Sequence, residues 1–166
     1  MKALATIEHR DSSHVNRGAA SQLLQLQREQ FEHDEAFHRE VARLEIKHRL
    51  THMALHFSKY VGYVGGHVGD DSRGPDLRRV IVDCFIIALS SANILNVRLS
   101  DEFGLDSTDY PSLHDFARRL SLQNSEGRFD AAWLLVALSI PVGRMAKACE
   151  ALDHLEALAY REEIPA

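Results

Sequence analysis

The chain has 166 residues, of which 45% are hydrophobic and 26% charged, and its formal net charge is −5. This composition is typical of a globular domain and excludes an intrinsically disordered chain. Both signs of charge are interspersed along the sequence, which argues against the clustered basic surface that direct nucleic-acid binding requires.

The sequence predicts one all-α domain over residues 16–166, preceded by a loose N-terminus over residues 1–15. The longest apolar run, residues 131–142, is shorter than the roughly 18 residues of a membrane span, and the polar N-terminal residues argue against an export signal. Two cysteines without such a signal indicate a reducing environment, so we expect Cys84 and Cys149 to be small core residues. A cytoplasmic location without membrane contact is the resulting expectation.

The first predicted element is a long helical region. Residues 16–62 contain no proline, and their apolar residues recur at spacings of three and four. This pattern predicts one long helix, or two helices with a bend near residues 32–35. Five glycines and a proline then lie within residues 62–75, which predicts a flexible loop.

The next helix is predicted over residues 76–99, with Asp76 near its start as a cap or dipole partner. The β-branched run of residues 80–82 is compatible with a strand. The sequence offers no partner strand or hairpin turn elsewhere, so we favour the helix.

Two further helices are predicted in the second half of the chain, over residues 112–122 and 129–161. Pro141 is expected to kink the second of them, because proline lacks the N–H group that the helix ladder needs. The chain as a whole predicts an all-α helix bundle of four to five helices with short antiparallel connections.

Histidine is the unusual residue of this sequence, with ten copies, four of them between His38 and His56. At 3.6 residues per turn, five polar side chains fall within an arc of roughly 80° on one face of the predicted helix, and His38 projects onto the same arc. We call this set the histidine stripe: Glu45, His48, His52, His56 and Lys59. Apolar residues flank the stripe on both sides, which predicts that it lines a cleft.

The stripe suggests a metal site. Histidines at i and i+4, together with a carboxylate from a neighbouring helix, can hold a divalent metal, and imidazole favours a transition metal over Mg²⁺. If the two helices pack antiparallel, Asp83 is expected to face the stripe. The predicted metal ligands are therefore His48, His52, His56 and Asp83. The alternative is that these histidines are ordinary surface or hydrogen-bonded residues.

Two basic residues near the stripe suggest an anion instead. Lys59 at the end of the stripe and Arg79 on the facing helix could hold a phosphate group. The alternative for Arg79 is an ion pair with Asp76 or Asp83.

Residues 48–62 (HRLTHMALHFSKYVG), the glycine-containing loop and residues 79–99 (RVIVDCFIIALSSANILNVRL) resemble the core helices of the all-α, MazG-like nucleotide pyrophosphohydrolases. In that family, carboxylates of an EExxE and an ExxD pattern hold Mg²⁺ ions that position a nucleoside triphosphate for cleavage between its α- and β-phosphates. Asp83 matches the aspartate of ExxD, followed by an apolar run and the Ala92-Asn93 pair. Other family carboxylates are replaced in this sequence, at positions Val80, His48, Arg49 and His52.

The resemblance implies a divergent member that binds or cleaves a nucleotide with a divalent metal ion, Mg, Mn or Zn. Asp83 would bind the metal, Glu45 would act as a base, and Lys59 and Arg79 would hold phosphate. Two alternatives stay open. One is a non-catalytic binding or assembly module that has lost its metal site, and the other is an unrelated helical bundle that binds metal through histidine and aspartate.

The second half of the chain bears on assembly. Residues 142–152 again resemble the family's first helix, which leaves open two half-repeats, residues 16–99 and 112–161, beside an ordinary core helix. Residues 133–136 lie close to Pro141 and offer more apolar surface than one short bundle needs. We therefore expect a homodimer.

Overall fold

The computed structural model describes residues 18–69, 74–106, 109–123 and 130–153, and 82% of these residues are helical, with no strand among them. Five helices of eleven or more residues form the bundle, and two single-turn helices lie between them. In chain order they are α1 (Ala19–Phe37), α2 (Arg39–Ala42), α3 (Ile46–Val68), α4 (Leu77–Ile94), α5 (Leu99–Glu102), α6 (Leu113–Gln123) and α7 (Ala131–Asp153). The all-α prediction is confirmed. The predicted loose segment, residues 1–15, lies outside the described residues.

Helix α3 packs antiparallel to α7 along its whole length. Near the start of α3, Lys47 Nζ lies 2.7 Å from a carboxylate oxygen of Asp153 at the end of α7. At the other end, Gly65 lies against Leu135 near the start of α7. The core between them is apolar and includes Leu50, Met53, Ala54, Met145, Ala148 and Cys149. Burial of these apolar side chains stabilises the two helices, since each helix alone would be marginal in water.

Helix α4 packs against both α3 and α1 and so joins the two halves of the bundle. At its start, Val80 and Cys84 pack with Tyr60 and Val64 of α3. Both cysteines are buried and free, as the sequence predicts. Burial raises the pKa of the Cys84 thiol to about 11, so this group stays protonated and behaves as a small core residue.

The prediction for residues 16–62 is only partly right, because the helix breaks between Phe37 and Ile46 instead of bending near residues 32–35. The intervening stretch contains neither proline nor glycine. No proline or glycine therefore marks the break. Helix α1 is held against α4 by the buried Gln27, whose Nε2 donates to the carbonyl of Val97 at 2.9 Å.

The glycine-rich run does not form a loop at its start. Helix α3 continues through Gly62, Gly65 and Gly66 to Val68, so the loop prediction is wrong for residues 62–68. Glycine in a helix interior costs about 1 kcal/mol relative to alanine. Here the fully buried Val64 packs against α4 and α7 and offsets that cost.

Helix α4 ends earlier than predicted, at Ile94. Asn96 adopts a left-handed conformation with φ 54°, and the next N–H, of Val97, donates to the carbonyl of Ala92 at 2.9 Å. This is the hydrogen bond of a Schellman ending, where asparagine is a favoured residue. Asp76 occupies the N-cap position without a side-chain capping bond.

Helix α7 contains Pro141 in its interior, as the sequence predicts. It is long and apolar enough to cross a membrane by length and composition, with a mean hydropathy of 1.3 over its best window. A core helix of a soluble protein passes the same test, and α7 packs along α3. Val136 and Ile140 lie on its outer face and are more than half exposed. The expected homodimer through this region stays a prediction.

Candidate functional site

A cleft of about 330 Å³ lies between α1, α2, α3 and α4. We call it the histidine cleft, because two histidines from the end of α1 and two from α3 line it: His33, His38, His52 and His56. Ile86, Ile87 and Ser90 of α4 also line it. Three carboxylates and one guanidinium complete its charged lining: Asp34, Glu35, Glu40 and Arg49.

The break after α1 is what brings His38 into this cleft. On one continuous helix, His38 and His52 would be about 21 Å apart, at 1.5 Å per residue. In the folded chain both residues line the same cleft, and His38 is close enough to His56 to contribute to lowering its pKa. His38 therefore lies in the same cleft as His52 and His56 of the stripe.

His52 and His56 form the closest pair of potential metal ligands on α3. Their Nε2 atoms lie 3.1 Å apart, and their rings meet edge to face with centroids 4.6 Å apart. Lys59 Nζ lies 3.4 Å from Nδ1 of His56. An ammonium group has no acceptor, so Lys59 donates to Nδ1, and the proton of neutral His56 sits on Nε2 and points at His52.

The imidazole of His56 is held in its neutral form. Burial lowers the pKa of His56, and the positive charges of Lys59, His52 and His38 lower it further. Since an imidazole must be neutral to bind a metal, this environment prepares His56 to act as a ligand at neutral pH.

On the facing wall, Asp34 is held in place by two short hydrogen bonds. Its Oδ1 accepts from Gln30 Nε2 at 2.7 Å, and its Oδ2 accepts from Ser90 Oγ of α4 at 2.7 Å. The ligand atoms of Asp34, His33 and His38 all lie within 4.8 Å of one another. Because each carboxylate oxygen keeps a second lone pair, Asp34 is oriented and can still bind a cation.

Arg49 lies on the α3 wall, one turn before His52. Its Nε atom is buried and has no hydrogen-bond partner among the residues that the structure describes. The guanidinium is charged at all accessible pH values, so this N–H group is an unsatisfied donor on a cation.

A wider groove of about 650 Å³ runs beside the cleft, between α1 and the α4–α5 connection. Its two arginines are already paired on the surface, Arg28 with Glu32 at 3.5 Å and Arg98 with Asp101 at 3.7 Å. We therefore base no site on this groove.

The structure brings together only part of the predicted site. His52 and His56 line the cleft and contact each other. His48 and Glu45 are exposed and do not line it, and Glu45 is the N-cap residue directly before α3. Lys59 is exposed at the edge, where it also lies over the Tyr60 ring, 4.4 Å from its centroid.

Asp83 does not reach the histidines. Its Oδ1 lies 2.9 Å from Nε of Arg79, so Arg79 forms the ion pair that the sequence left open as an alternative to phosphate binding. The neighbouring Cys84 packs against Tyr60, which places Asp83 near the Lys59 turn of α3. The cleft lining on α4 begins only at Ile86.

Several residues of the cleft were not assigned from the sequence, among them Asp34, Arg49 and Ser90. A signal for Asp34 existed, since it lies next to His33 and four residues before His38. This signal identifies Asp34 as a cleft residue only when the helix break after Phe37 is known, and no residue near the break predicts it. Arg49 and Ser90 carried no such signal.

Comparison of the chain with protein-family models, with curated proteins and with solved structures finds no match. The MazG-like resemblance therefore stays a prediction from the residues.

Proposed function

We propose that this protein binds a divalent transition-metal ion in the histidine cleft, with His52 and His56 as a chelating pair and with Asp34, drawn towards the ion from its present group with His33 and His38, as a third ligand. The observation that carries the proposal is the 3.1 Å separation of the two Nε2 atoms. Two imidazole nitrogens at about 2.0–2.1 Å from a tetrahedral metal lie about 3.3 Å apart. The distance between the two nitrogens has to change by only a few tenths of an ångström, and both rings have to turn so that their Nε2 atoms point at the ion.

Metal binding requires the proton between the two histidines to move, and the free-energy cost of this move is small. When a metal takes both Nε2 atoms, the proton of His56 moves to Nδ1, and Lys59 gives up its 3.4 Å contact with that atom. Lys59 is exposed, so its ammonium group is then hydrated by solvent. The ion displaces two hydrogen bonds, the 3.1 Å bond between the two histidines and the 3.4 Å bond from Lys59, and gains two metal–nitrogen bonds.

The charge of the cleft also suits a dication. Three carboxylates and one guanidinium line it, which gives a formal charge of −2 with the histidines neutral. Asp34 is the most suitable of the carboxylates, because Gln30 and Ser90 fix its orientation from two different helices. A set of imidazoles with one carboxylate favours Zn²⁺, Co²⁺ or Ni²⁺ over Mg²⁺, which prefers oxygen ligands.

Among the hypotheses from the sequence, this proposal is nearest to the helical bundle that binds metal through histidine and aspartate, with Asp34 in place of the predicted Asp83 and without the predicted His48. The pyrophosphohydrolase hypothesis needs Asp83 at the metal, and Asp83 is paired with Arg79 at 2.9 Å near the Lys59 turn. Two cations beside one carboxylate disfavour a further cation there.

The test is a Co²⁺ titration of protein purified without a polyhistidine tag, followed by the visible absorption of the bound ion. We expect one site, and we expect His52→Ala to weaken Co²⁺ binding by about tenfold or more because it removes half of the chelate. His48→Ala is the matched control, since it removes a predicted ligand from the same helix outside the cleft.

The control should bind Co²⁺ within about twofold of the unchanged protein. Equal losses in the two variants, or no saturable Co²⁺ binding at millimolar concentration, would contradict the proposal. Circular dichroism of each variant establishes that the helices are intact.

A further inference from the structure

The Nε group of Arg49 is an unsatisfied donor of the histidine cleft that the metal proposal does not use. Its Nε atom is buried without an acceptor, although three carboxylates share the cleft. Asp34 accepts from Gln30 and Ser90, and Glu40 lies 3.8 Å from Nδ1 of His38. No group in the described part of the chain accepts from Nε of Arg49, so an acceptor that enters the cleft would satisfy this donor.

The position of Arg49 suggests what that acceptor is. It precedes His52 by three residues, so the two side chains share one face of α3, and both line the cleft. A metal on His52 and His56 would leave open coordination positions toward the cleft. An anion entering there meets a dication and a guanidinium on the same wall.

We propose that the metal-loaded cleft binds a small oxyanion, a phosphate or carboxylate group, with one oxygen on the metal and another accepting from Nε of Arg49. This inference rests on the proposed metal site. The guanidinium fork suits such groups, because it can present parallel N–H donors to two oxygens of one anion.

The cleft size and charge set the class of ligand further. A volume of about 330 Å³ is at the lower end for small-molecule pockets. The formal charge of −2 repels an anion from the empty cleft and is cancelled by the metal. The anion is therefore expected to bind after the metal, and each ligand must strengthen the other by the same factor.

The experiment is a titration of the Co²⁺-loaded protein with methylphosphonate and, separately, with acetate, read from the visible spectrum of the bound Co²⁺. The two arms distinguish a phosphate-type from a carboxylate-type ligand. Arg49→Met removes the donors while keeping an apolar side chain, and Arg49→Lys keeps the charge without the fork.

We expect at least one of the two anions to change the Co²⁺ spectrum saturably and to tighten Co²⁺ binding. In Arg49→Met its affinity should fall by about tenfold or more, with a smaller loss in Arg49→Lys, while Co²⁺ binding without the anion stays within about threefold. Retained Co²⁺ binding with no response to either anion would overturn the inference. An anion response of equal strength in Arg49→Met would overturn it too.

The metal proposal has a separate readout in the same titration. Failure of Co²⁺ to bind at all defeats the proposed function itself, whereas the outcomes above defeat the role of Arg49 alone. Circular dichroism and a thermal melt of Arg49→Met check that it folds. If it does not, Arg49→Lys carries the comparison.

Discussion

Polar side chains lie near α4 at two positions along helix α3, which we call the Lys59 level and the level of the histidine cleft. The two levels differ in how many of their polar groups have partners. At the Lys59 level, Arg79 and Asp83 form a 2.9 Å ion pair, and Lys59 lies over the ring of Tyr60. At the level of the histidine cleft, His52 and His56 face each other and Arg49 Nε has no acceptor. The charged groups of the first level are paired with each other, whereas the second level has a donor without an acceptor and two imidazoles that can bind a ligand.

The difference teaches where a ligand is expected. Buried polar groups that already have partners gain little from a ligand, whereas an unsatisfied donor carries a desolvation cost that a ligand removes. The family resemblance directs attention to Asp83, and the geometry directs it to the cleft two turns along α4. The Asp83 level and the histidine cleft should therefore respond differently to substitution, pH and added metal.

The largest expected effect compares two aspartates. Asp34→Asn should weaken Co²⁺ binding by about tenfold, because the ion loses a charged ligand while the amide keeps the size of the side chain. Asp83→Asn should leave Co²⁺ binding within about twofold. Parallel Co²⁺ titrations of the two variants check this, and a larger loss in Asp83→Asn would restore the site that the resemblance implies.

The second prediction concerns pH. Co²⁺ affinity should fall by about tenfold or more between pH 7 and pH 5, because protonated imidazole cannot bind a metal. Burial lowers the pKa of His56, so proton competition at this ligand begins only below its ordinary value of 6.5. Calorimetric titrations at both pH values measure the change. Affinity that stays constant over this range would argue for carboxylate ligands alone.

The same pKa has a consequence for the metal-free protein. Since the pKa of His56 is lower in the folded than in the unfolded state, the unfolded chain binds more protons as the pH drops below about 6.5. Stability is therefore lost as the pH falls from that value through the folded pKa. Urea unfolding at pH 7 and pH 5 should show a smaller loss for His56→Gln than for the unchanged protein. Equal losses would mean that His56 titrates normally in the fold.

The sequence predicted the helical class, the start of α4 and the position of α6 well, because periodicity is a local signal. The prediction for α7 holds as far as Asp153, and its predicted end at residue 161 lies outside the described residues. The sequence prediction failed at the glycine run of residues 62–68, where buried contacts of Val64 outweigh the low helix propensity of glycine. It also misplaced the break before Ile46, which no residue marks. His52 and His56 could be paired from their spacing alone, but Asp34 becomes a candidate only through that break.

Arg49 gives a smaller effect, on stability and in the opposite direction to its effect on binding. Arg49→Met should raise the free energy of unfolding of the metal-free protein by about 1 kcal/mol, because it removes a buried donor without a partner and leaves an apolar side chain. Urea unfolding measures this. A loss of stability would show that the guanidinium has a structural acceptor, and would weaken the case that it awaits a ligand.

The smallest effect is expected at the Asp83 level. Arg79 is 70% exposed while Asp83 is 21% exposed, and the two are an i, i+4 pair on one helix. Such pairs stabilise a helix by about 0.3–0.5 kcal/mol and are screened by salt. Arg79→Ala should therefore lower the free energy of unfolding by no more than about 0.5 kcal/mol, and less in 1 M NaCl.

Urea unfolding of Arg79→Ala at low and high salt measures this effect, with Arg78→Ala as the control from the same turn of α4. The pair matters for binding in one further way: Arg79→Ala frees the Asp83 carboxylate. If the Asp83 level were a suppressed metal site, this variant would gain a second Co²⁺ site. We expect none, because Lys59 still contributes its positive charge at that level and Val80 there offers no ligand atom. A second site in Arg79→Ala would show that one ion pair, and not the geometry of the helices, separates the two levels of α3.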